Sequence, residues 1–233
     1  MLQYQTVSPN LLSLLQQLMN LPSIQQFRLV GGTGLALQLG HRQSVDIDLF
    51  SEHDFNKEKL QEILTNEFGS FVLNWKSMNG FTSSINEVKV DFFNWNIPFI
   101  MPPVIDGKIV LMDKKEIGSM KLEAITSRKD KKDFFDIMFL LNELSLKELI
   151  TVFRTKYPYI NHKFALESLM AIDYADETAD PILLKPLSWT EAKQQIVSSV
   201  ENYFTEQKNE LTKKQEERLR KAEELLKNKK PKP

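Results

Sequence analysis

The segment between residues 27 and 50 of this 233-residue chain limits the possible folds more than any other. Phe27–Val30 is a short apolar run that predicts a strand, and the Gly-Gly-Thr-Gly run at 31–34 predicts a turn after it. Leu35–Leu39 predicts a short helix that Gly40 ends. Small residues between a strand and a helix leave free backbone N–H groups at the positive helix end, an arrangement that holds phosphate.

Two common phosphate loops do not match this run. The dinucleotide-binding pattern G-x-G-x-x-G would need glycine at position 37, where Leu37 stands. A P-loop needs Gly-Lys followed by serine or threonine, whereas Gly107-Lys108 is followed by isoleucine. A phosphate site here therefore indicates a different class of protein.

Two acids follow on a predicted strand. Ser44–Phe50 alternates apolar and polar residues, as a half-buried strand does. Asp46 and Asp48 are two apart, so their carboxylates share one face, and the alternate residues are expected in the core: Val45, Ile47 and Leu49. Two carboxylates about 6–7 Å apart repel each other, and Mg²⁺ with oxygen ligands relieves that repulsion. The alternative is two solvated acids at a strand end.

A third acid, Asp91, lies within the aromatic and β-branched run Glu87–Phe93. A carboxylate in such a strand is costly unless it is paired or ligates a metal. If this strand neighbours Ser44–Phe50, three carboxylates converge and can hold two Mg²⁺ ions, one at a hydroxyl nucleophile and one at a leaving pyrophosphate. An ion pair between Asp91 and a nearby lysine is the alternative.

The remaining pattern divides the chain near residue 113. Before it, further helices are predicted at 11–19 and 55–68, and further strands at 71–76, 81–85, 88–95 and 109–112, with Asn79-Gly80 as a hairpin turn. After it, only helices are predicted, at 115–126, 131–143, 146–155, 162–172 and 189–226. We therefore predict an α+β fold, a mixed sheet with flanking helices followed by a helical bundle. The predicted domains are 1–113, 114–206 and a charged tail at 207–233.

Charge and composition exclude several classes of function. The net charge is −1, but residues 207–233 carry ten Lys/Arg and five Asp/Glu, which leaves −6 on residues 1–206. A purely electrostatic nucleic-acid binder is disfavoured, and the tail is either a solvated helix or a docking helix for RNA or protein. The absence of cysteine excludes disulfides, thiolate zinc sites and a cysteine nucleophile. Without a spanning apolar run or signal peptide, we expect a cytoplasmic protein with no membrane partner.

These motifs together resemble the nucleotidyltransferase superfamily, whose pattern is Gly-Ser or Gly-Thr, a spacer and Asp-x-Asp. Here twelve residues separate Thr33 from Asp46. The fuller resemblance is to the AbiEii/AbiGii-type toxin nucleotidyltransferases, because His41, Arg42 and Ser44 precede the acids as they do in that family. In the helical half, the family's Lys, Arg and Lys/Arg-Asp-x-x-Asp pattern is matched by Lys121, Arg128, Lys132, Asp133 and Asp136.

The resemblance implies a nucleotidyltransferase fold and a set of site residues. It implies that Asp46, Asp48 and Asp91 ligate the metal. It also implies that these acids act in catalysis together with Lys121 and Asp133. Asp133 would orient a basic residue or the nucleophile. It implies nucleotide binding by Gly31, Gly32, Thr33, His41, Arg42, Ser44, Lys121, Arg128 and Lys132. Without the resemblance, Lys132 and Asp136 would be interpreted as an ordinary ion pair on a helix.

The resemblance also implies a function: Mg²⁺-dependent transfer of a nucleotidyl group from an NTP to tRNA or another cellular hydroxyl or phosphate. Such an enzyme would be the toxin of a toxin–antitoxin or phage-defence system, restrained by a cognate antitoxin. Two alternatives remain, a small-molecule nucleotidyltransferase of the antibiotic-modifying type and a catalytically degenerate binding module. Three mutually repelling carboxylates favour an enzyme.

Overall fold

A computed structural model describes residues 1–228, whose centre is a seven-stranded mixed sheet. The strands are β1 (Arg28–Leu29), β2 (Ile47–Ser51), β3 (Phe71–Lys76), β4 (Gly80–Ile85), β5 (Val88–Asn94), β6 (Val104–Asp106) and β7 (Ile109–Leu111). Their order is β3-β4-β5-β2-β1-β7-β6. The pairs β2–β5 and β1–β7 are parallel, and the other neighbours are antiparallel. The parallel β2–β5 pair places the two acidic segments side by side.

Residues 1–228 also contain eight α-helices. These are α1 (Pro9–Asn20), α2 (Gly31–Leu39), α3 (Lys57–Glu67), α4 (Lys114–Ser127), α5 (Lys131–Leu141), α6 (Leu146–Lys156), α7 (His162–Met170) and α8 (Trp189–Asn228). Side-chain caps fix several of their starts, since Ser8 and Asn56 accept hydrogen bonds from the first turns of α1 and α3. Ser145 and Glu148 form a capping box at α6.

Two buried clusters lie on the two faces of the sheet. Ile47 and Leu49 of β2 belong to one cluster, together with residues of α1 and α3. The second cluster holds the buried apolar residues of α4 to α8. Phe50 points to this other face and packs against that cluster. The α2 helix contributes Leu35 and Leu39 to this second cluster, so the helical half and the sheet share a core. The division into separate domains stays a prediction.

The predicted α+β class is confirmed, and three local predictions need correction. The α2 helix begins at Gly31 and not at Leu35, because the small residues form its first turn. The β2 strand begins at Ile47, and Val45 is 72% exposed instead of lying in the core. The short β6 strand was not predicted, since three residues carry no clear alternation.

The last helix extends well beyond the core. Ala192, Ile196 and Val200 pack in the second cluster, whereas Leu211 and Leu219 are exposed. The side chains of Ala222 and Leu226 and the whole of residues 229–233 lie outside the described part of the chain. Within residues 1–228, no helix combines the length and apolarity needed to cross a membrane.

Candidate active site

A cleft of about 600 Å³ lies where the sheet meets the helical half. One wall is formed by β2, β5 and the first residues of α2, and the facing wall by α4. The segment Ala179–Ile182 closes one side. It is tied to the chain before β2, because the Gln43 amide donates to the Ile182 carbonyl over 2.8 Å. The cleft therefore collects segments that are far apart in sequence.

Asp48 and Asp91 lie directly opposite each other on the parallel strands β2 and β5. Both line the cleft, and Asp46 lines it one step before β2. Burial, together with the charge of Asp91, raises the pKa of the Asp48 carboxyl to about 6. The two acidic strands are therefore neighbours, which is the condition under which the sequence predicted that the carboxylates converge.

The Asp91 carboxylate also has protein partners. The Thr82 hydroxyl donates to its Oδ1 over 2.6 Å, and the Lys89 ammonium lies 2.8 Å from its Oδ2. The lysine partner considered as an alternative is therefore present. Because the Lys89 side chain is 47% exposed, water screens this pair and it is weak.

The donor chemistry fits a hard divalent cation. No three acidic or histidine side chains within residues 1–228 form a complete metal cluster. Asp48 and Asp91 nevertheless supply adjacent carboxylate oxygens, with Asp46 on the same wall, and such oxygens are the donors that Mg²⁺ prefers. Burial first, and then the charge of Asp91, raise the pKa of Asp48, and a bound dication would offset both effects.

The start of α2 approaches the acids closely because it is built from glycine. Gly31 has φ = +63°, and a Cβ there would lie 2.0 Å from Oδ2 of Asp48. A Cβ on Gly32 would lie 2.6 Å from Nη2 of Arg42. At Gly31 the positive φ and the contact with Asp48 both require glycine, which leaves the positive end of a nine-residue helix beside the cleft.

Thr33 lies behind the cleft wall. It is almost fully buried, and its hydroxyl hydrogen-bonds to the Ser44 hydroxyl at 2.8 Å and to the Asp46 carbonyl oxygen. These bonds tie the first turn of α2 to the chain that carries the acids. Ser44 itself lines the cleft.

Asp136 is the centre of a buried ion network. Its carboxylate accepts two hydrogen bonds from Arg42, at 2.7 and 2.9 Å, and lies 2.7 Å from Nζ of Lys121. Nε2 of His41 is also 2.7 Å away. Burial alone would raise the pKa of Asp136, but Arg42 and Lys121 outweigh it and hold this pKa well below its ordinary value.

His41 is fully buried and does not line the cleft. Burial lowers the pKa of its imidazole despite the nearby Asp136, so the ring is neutral at pH 7 and donates its Nε2–H to that carboxylate. The histidine thus supports Arg42 from behind the cleft wall.

A second buried acid, Asp133, holds two of the predicted phosphate-binding cations. Its carboxylate lies 2.7 Å from Nζ of Lys121 and 2.8 Å from Nε of Arg128. Burial would raise the pKa of Asp133, but Lys121 and Arg128 lower it overall. Lys121, Arg128 and the exposed Lys132 line the cleft opposite the acids, whereas Asp133 does not.

Two features of the cleft were not predicted from the sequence. Phe50 and Trp95 stack with ring centroids 5.0 Å apart, and both rings line the cleft. The closing segment Ala179–Ile182 is held by backbone pairing to residues 41–43, which leaves no side-chain pattern in the sequence. Alternation along β2 could have placed Phe50 beside the acids.

The comparisons with known proteins agree with this geometry. The family model of the nucleotidyl transferase AbiEii toxin, of type IV toxin–antitoxin systems, matches residues 13–223. The chain belongs to this family. An uncharacterized Aquifex aeolicus (strain VF5) protein, aq_aa25, is 29% identical over 169 residues, which is 70% of this chain and 82% of that protein.

A crystal structure shows that the fold is shared. JHP933 from Helicobacter pylori matches with a TM-score of 0.56 and 16% identity, over 90% of this chain and 99% of that one. The resemblance inferred from the sequence is confirmed, and as a member of the AbiEii family the protein is a nucleotidyltransferase. The family gives it the role of toxin in a toxin–antitoxin system, with a nucleotide as substrate and an antitoxin as partner.

Proposed function

We propose that the protein transfers a nucleotidyl group from an NTP, with Mg²⁺, to a hydroxyl or phosphate of a cellular acceptor such as tRNA. The observation that carries this proposal is the pairing of Asp48 with Asp91 across β2 and β5, in a cleft that Lys121 of α4 and the following Arg128 also line. Negative and positive groups on opposite walls suit a substrate that carries phosphates and binds a dication.

The triphosphate would lie between the start of α2 and the cations at the end of α4 and just after it. Gly31 and Gly32 bring backbone N–H groups to the cleft, and Lys121 and Arg128 supply positive charge opposite them. Both cations are pre-positioned, because Asp133 holds each of them within 2.8 Å. Pre-positioned charge needs little rearrangement when the transition state forms.

Asp46, Asp48 and Asp91 would hold the metal. Bound there, Mg²⁺ would neutralise charge on the phosphates and lower the pKa of an acceptor hydroxyl. The residues fit this role because two of the carboxylates face each other and the pKa of Asp48 is raised to about 6.

The transfer itself is a substitution at the α-phosphorus. The acceptor oxygen forms a bond to that phosphorus, the bond to the bridging oxygen of the β-phosphate breaks, and pyrophosphate leaves. The proton of an acceptor hydroxyl passes to the Asp91 carboxylate, which lines the cleft beside Asp48. Lys121 and Arg128 stabilise the charge that develops on the phosphates.

We propose that the protein is a growth-arresting toxin of a toxin–antitoxin or phage-defence system. It would modify an essential RNA until an antitoxin restrains it. Induced expression in a bacterial host tests this role. Wild type should arrest growth and label the tRNA fraction, and Asp48→Asn should do neither at equal protein level. Asp54→Asn, an exposed acid outside the cleft, is the matched control and should arrest growth like wild type. Arrest by Asp48→Asn, or arrest without any labelled RNA, would overturn the proposal.

A further inference from the structure

One row of side chains leads from the acids to the edge of the sheet. Asp48 is opposite Asp91, Asp91 is opposite Thr82, and Thr82 is opposite Trp75 on the edge strand β3. Residues in register share a face, so Trp75 projects from the same side of the sheet as the carboxylates. The hydrogen bond from Thr82 to Asp91 confirms this common face.

Aromatic rings form a second, continuous row on this face. Trp75 contacts Phe93 with centroids 6.0 Å apart, Phe93 contacts Phe50 at 5.9 Å, and Phe50 stacks on Trp95 at 5.0 Å. Gly80 makes room for them, since a Cβ there would lie 2.8 Å from the Phe93 ring. The rings thus run from inside the cleft to Trp75, which is 56% exposed.

We propose that this open face binds the single-stranded end of a nucleic-acid acceptor, with one base stacked on Trp75. This inference rests on the proposed function and deepens it by naming the acceptor's chemistry and its binding surface. Asp91 and Trp75 are two strands apart, about 10 Å, so the stacked base would belong to a nucleotide behind the reacting one. Base stacking on an aromatic ring tolerates any sequence and suits an unpaired strand.

The surroundings of Trp75 favour a nucleic acid over a protein partner. The rings have polar neighbours on this face, Thr82, Ser84 and Asn74, with Val72 as one exposed apolar residue beside them. Stable protein interfaces bury about 800 Å² on each partner, usually around an apolar centre. Lys89, whose side chain is 47% exposed, and Lys132 add positive charge at the cleft mouth, where phosphates of a bound strand would lie.

The test is binding of a short, fluorescein-labelled single-stranded RNA of mixed sequence, measured by anisotropy at several salt concentrations without NTP. Trp75→Ala should weaken binding about tenfold and leave the salt slope unchanged, because stacking releases no counterions. Trp75→Phe should keep most of the affinity. Leu73→Ala is the matched control, since Leu73 is an exposed apolar residue of the same strand on the opposite face and should bind like wild type.

Equal RNA affinity of Trp75→Ala and Leu73→Ala would overturn the inference, as would a loss that appears only as a smaller salt slope. A Trp75→Ala variant that binds RNA normally but no longer binds its antitoxin would also overturn it, in favour of a protein partner. Labelled-NTP transfer by wild type, measured separately, distinguishes the two hypotheses. Transfer to RNA together with unchanged binding by Trp75→Ala would leave the proposed function intact and refute only the stacking surface.

Discussion

Asp136 binds Arg42 through two hydrogen bonds of 2.7 and 2.9 Å, and both side chains are buried. The same carboxylate contacts Lys121, so one acid of α5 fixes a residue before β2 and a residue of α4. Both cations reach the cleft. The ion pair therefore joins the two walls of the active site across the junction between sheet and helices.

Loss of this acid should destabilise the protein strongly. Asp136→Asn keeps the shape but leaves the buried Arg42 without its charge partner and removes one of the two acids beside Lys121, so we expect the free energy of unfolding to fall by about 3–5 kcal/mol. Urea denaturation at neutral pH measures it. The control Asp173→Asn removes an exposed ion pair with Lys193 and should cost less than about 1 kcal/mol. Equal losses would contradict the role of the network.

Neutralising Asp48, a proposed metal ligand, should have the opposite effect on stability. Because the pKa of Asp48 is raised to about 6 in the folded protein, its protonated form is favoured by folding, and its ionisation destabilises the fold as pH rises through 6. Asp48→Asn should therefore be more stable than wild type at about pH 8, by up to about 3 kcal/mol without divalent cations. The difference should vanish at about pH 3, below the ordinary aspartate pKa. Urea denaturation of both proteins at the two pH values measures this difference. A variant that is less stable than wild type at high pH would contradict the raised pKa of Asp48.

Lys121 should matter more for the nucleotide than for the fold. In Lys121→Met, Asp133 keeps Arg128 and Asp136 keeps Arg42, so each buried acid retains a cation. We expect a smaller stability loss than in Asp136→Asn, with NTP affinity reduced at least about tenfold because a charge-assisted phosphate contact is lost. Equilibrium binding of a fluorescent NTP, with melting curves on the same samples, separates the two effects. Unchanged NTP affinity would exclude Lys121 from the triphosphate site.

Two glycines with similar backbone angles give a controlled test of the close approach at α2. Gly31 and Gly107 have φ of +63° and +60°, but a Cβ would meet Asp48 only at Gly31, since nothing lies within 4 Å at Gly107. Each alanine variant should lose about 1 kcal/mol of stability from backbone strain. Only Gly31→Ala should also lose transfer activity, by at least about a hundredfold. Equal activity of both variants would show that the contact with Asp48 is unimportant.

Much of the fold was predictable because it depends on local signals. The Asn79-Gly80 turn gave the β3–β4 hairpin, and alternation in Glu87–Phe93 placed Asp91 on the polar face of β5. The five helices of the second half follow predicted ranges to within a few residues. Each of these signals lies within a few neighbouring residues.

The missing parts depend on contacts between distant segments. Nothing around His41 or Asp136 indicates that they meet, since 95 residues separate them. The resemblance placed His41 at the nucleotide, whereas the structure buries it behind the wall of the cleft. The segment Ala179–Ile182 is likewise held at the cleft by backbone hydrogen bonds. Such bonds do not depend on particular side chains, so the sequence carries no signal for them.

Transfer of label from an α-³²P NTP to RNA by the purified protein tests the central hypothesis most directly. Wild type and Asp54→Asn should label RNA and release pyrophosphate only when Mg²⁺ is present. Asp91→Asn should lose at least about a hundredfold in rate while it stays folded, because its carboxylate is proposed both to hold the metal and to take the acceptor's proton. Mg²⁺-dependent labelling by Asp91→Asn at the wild-type rate would contradict the proposed reaction.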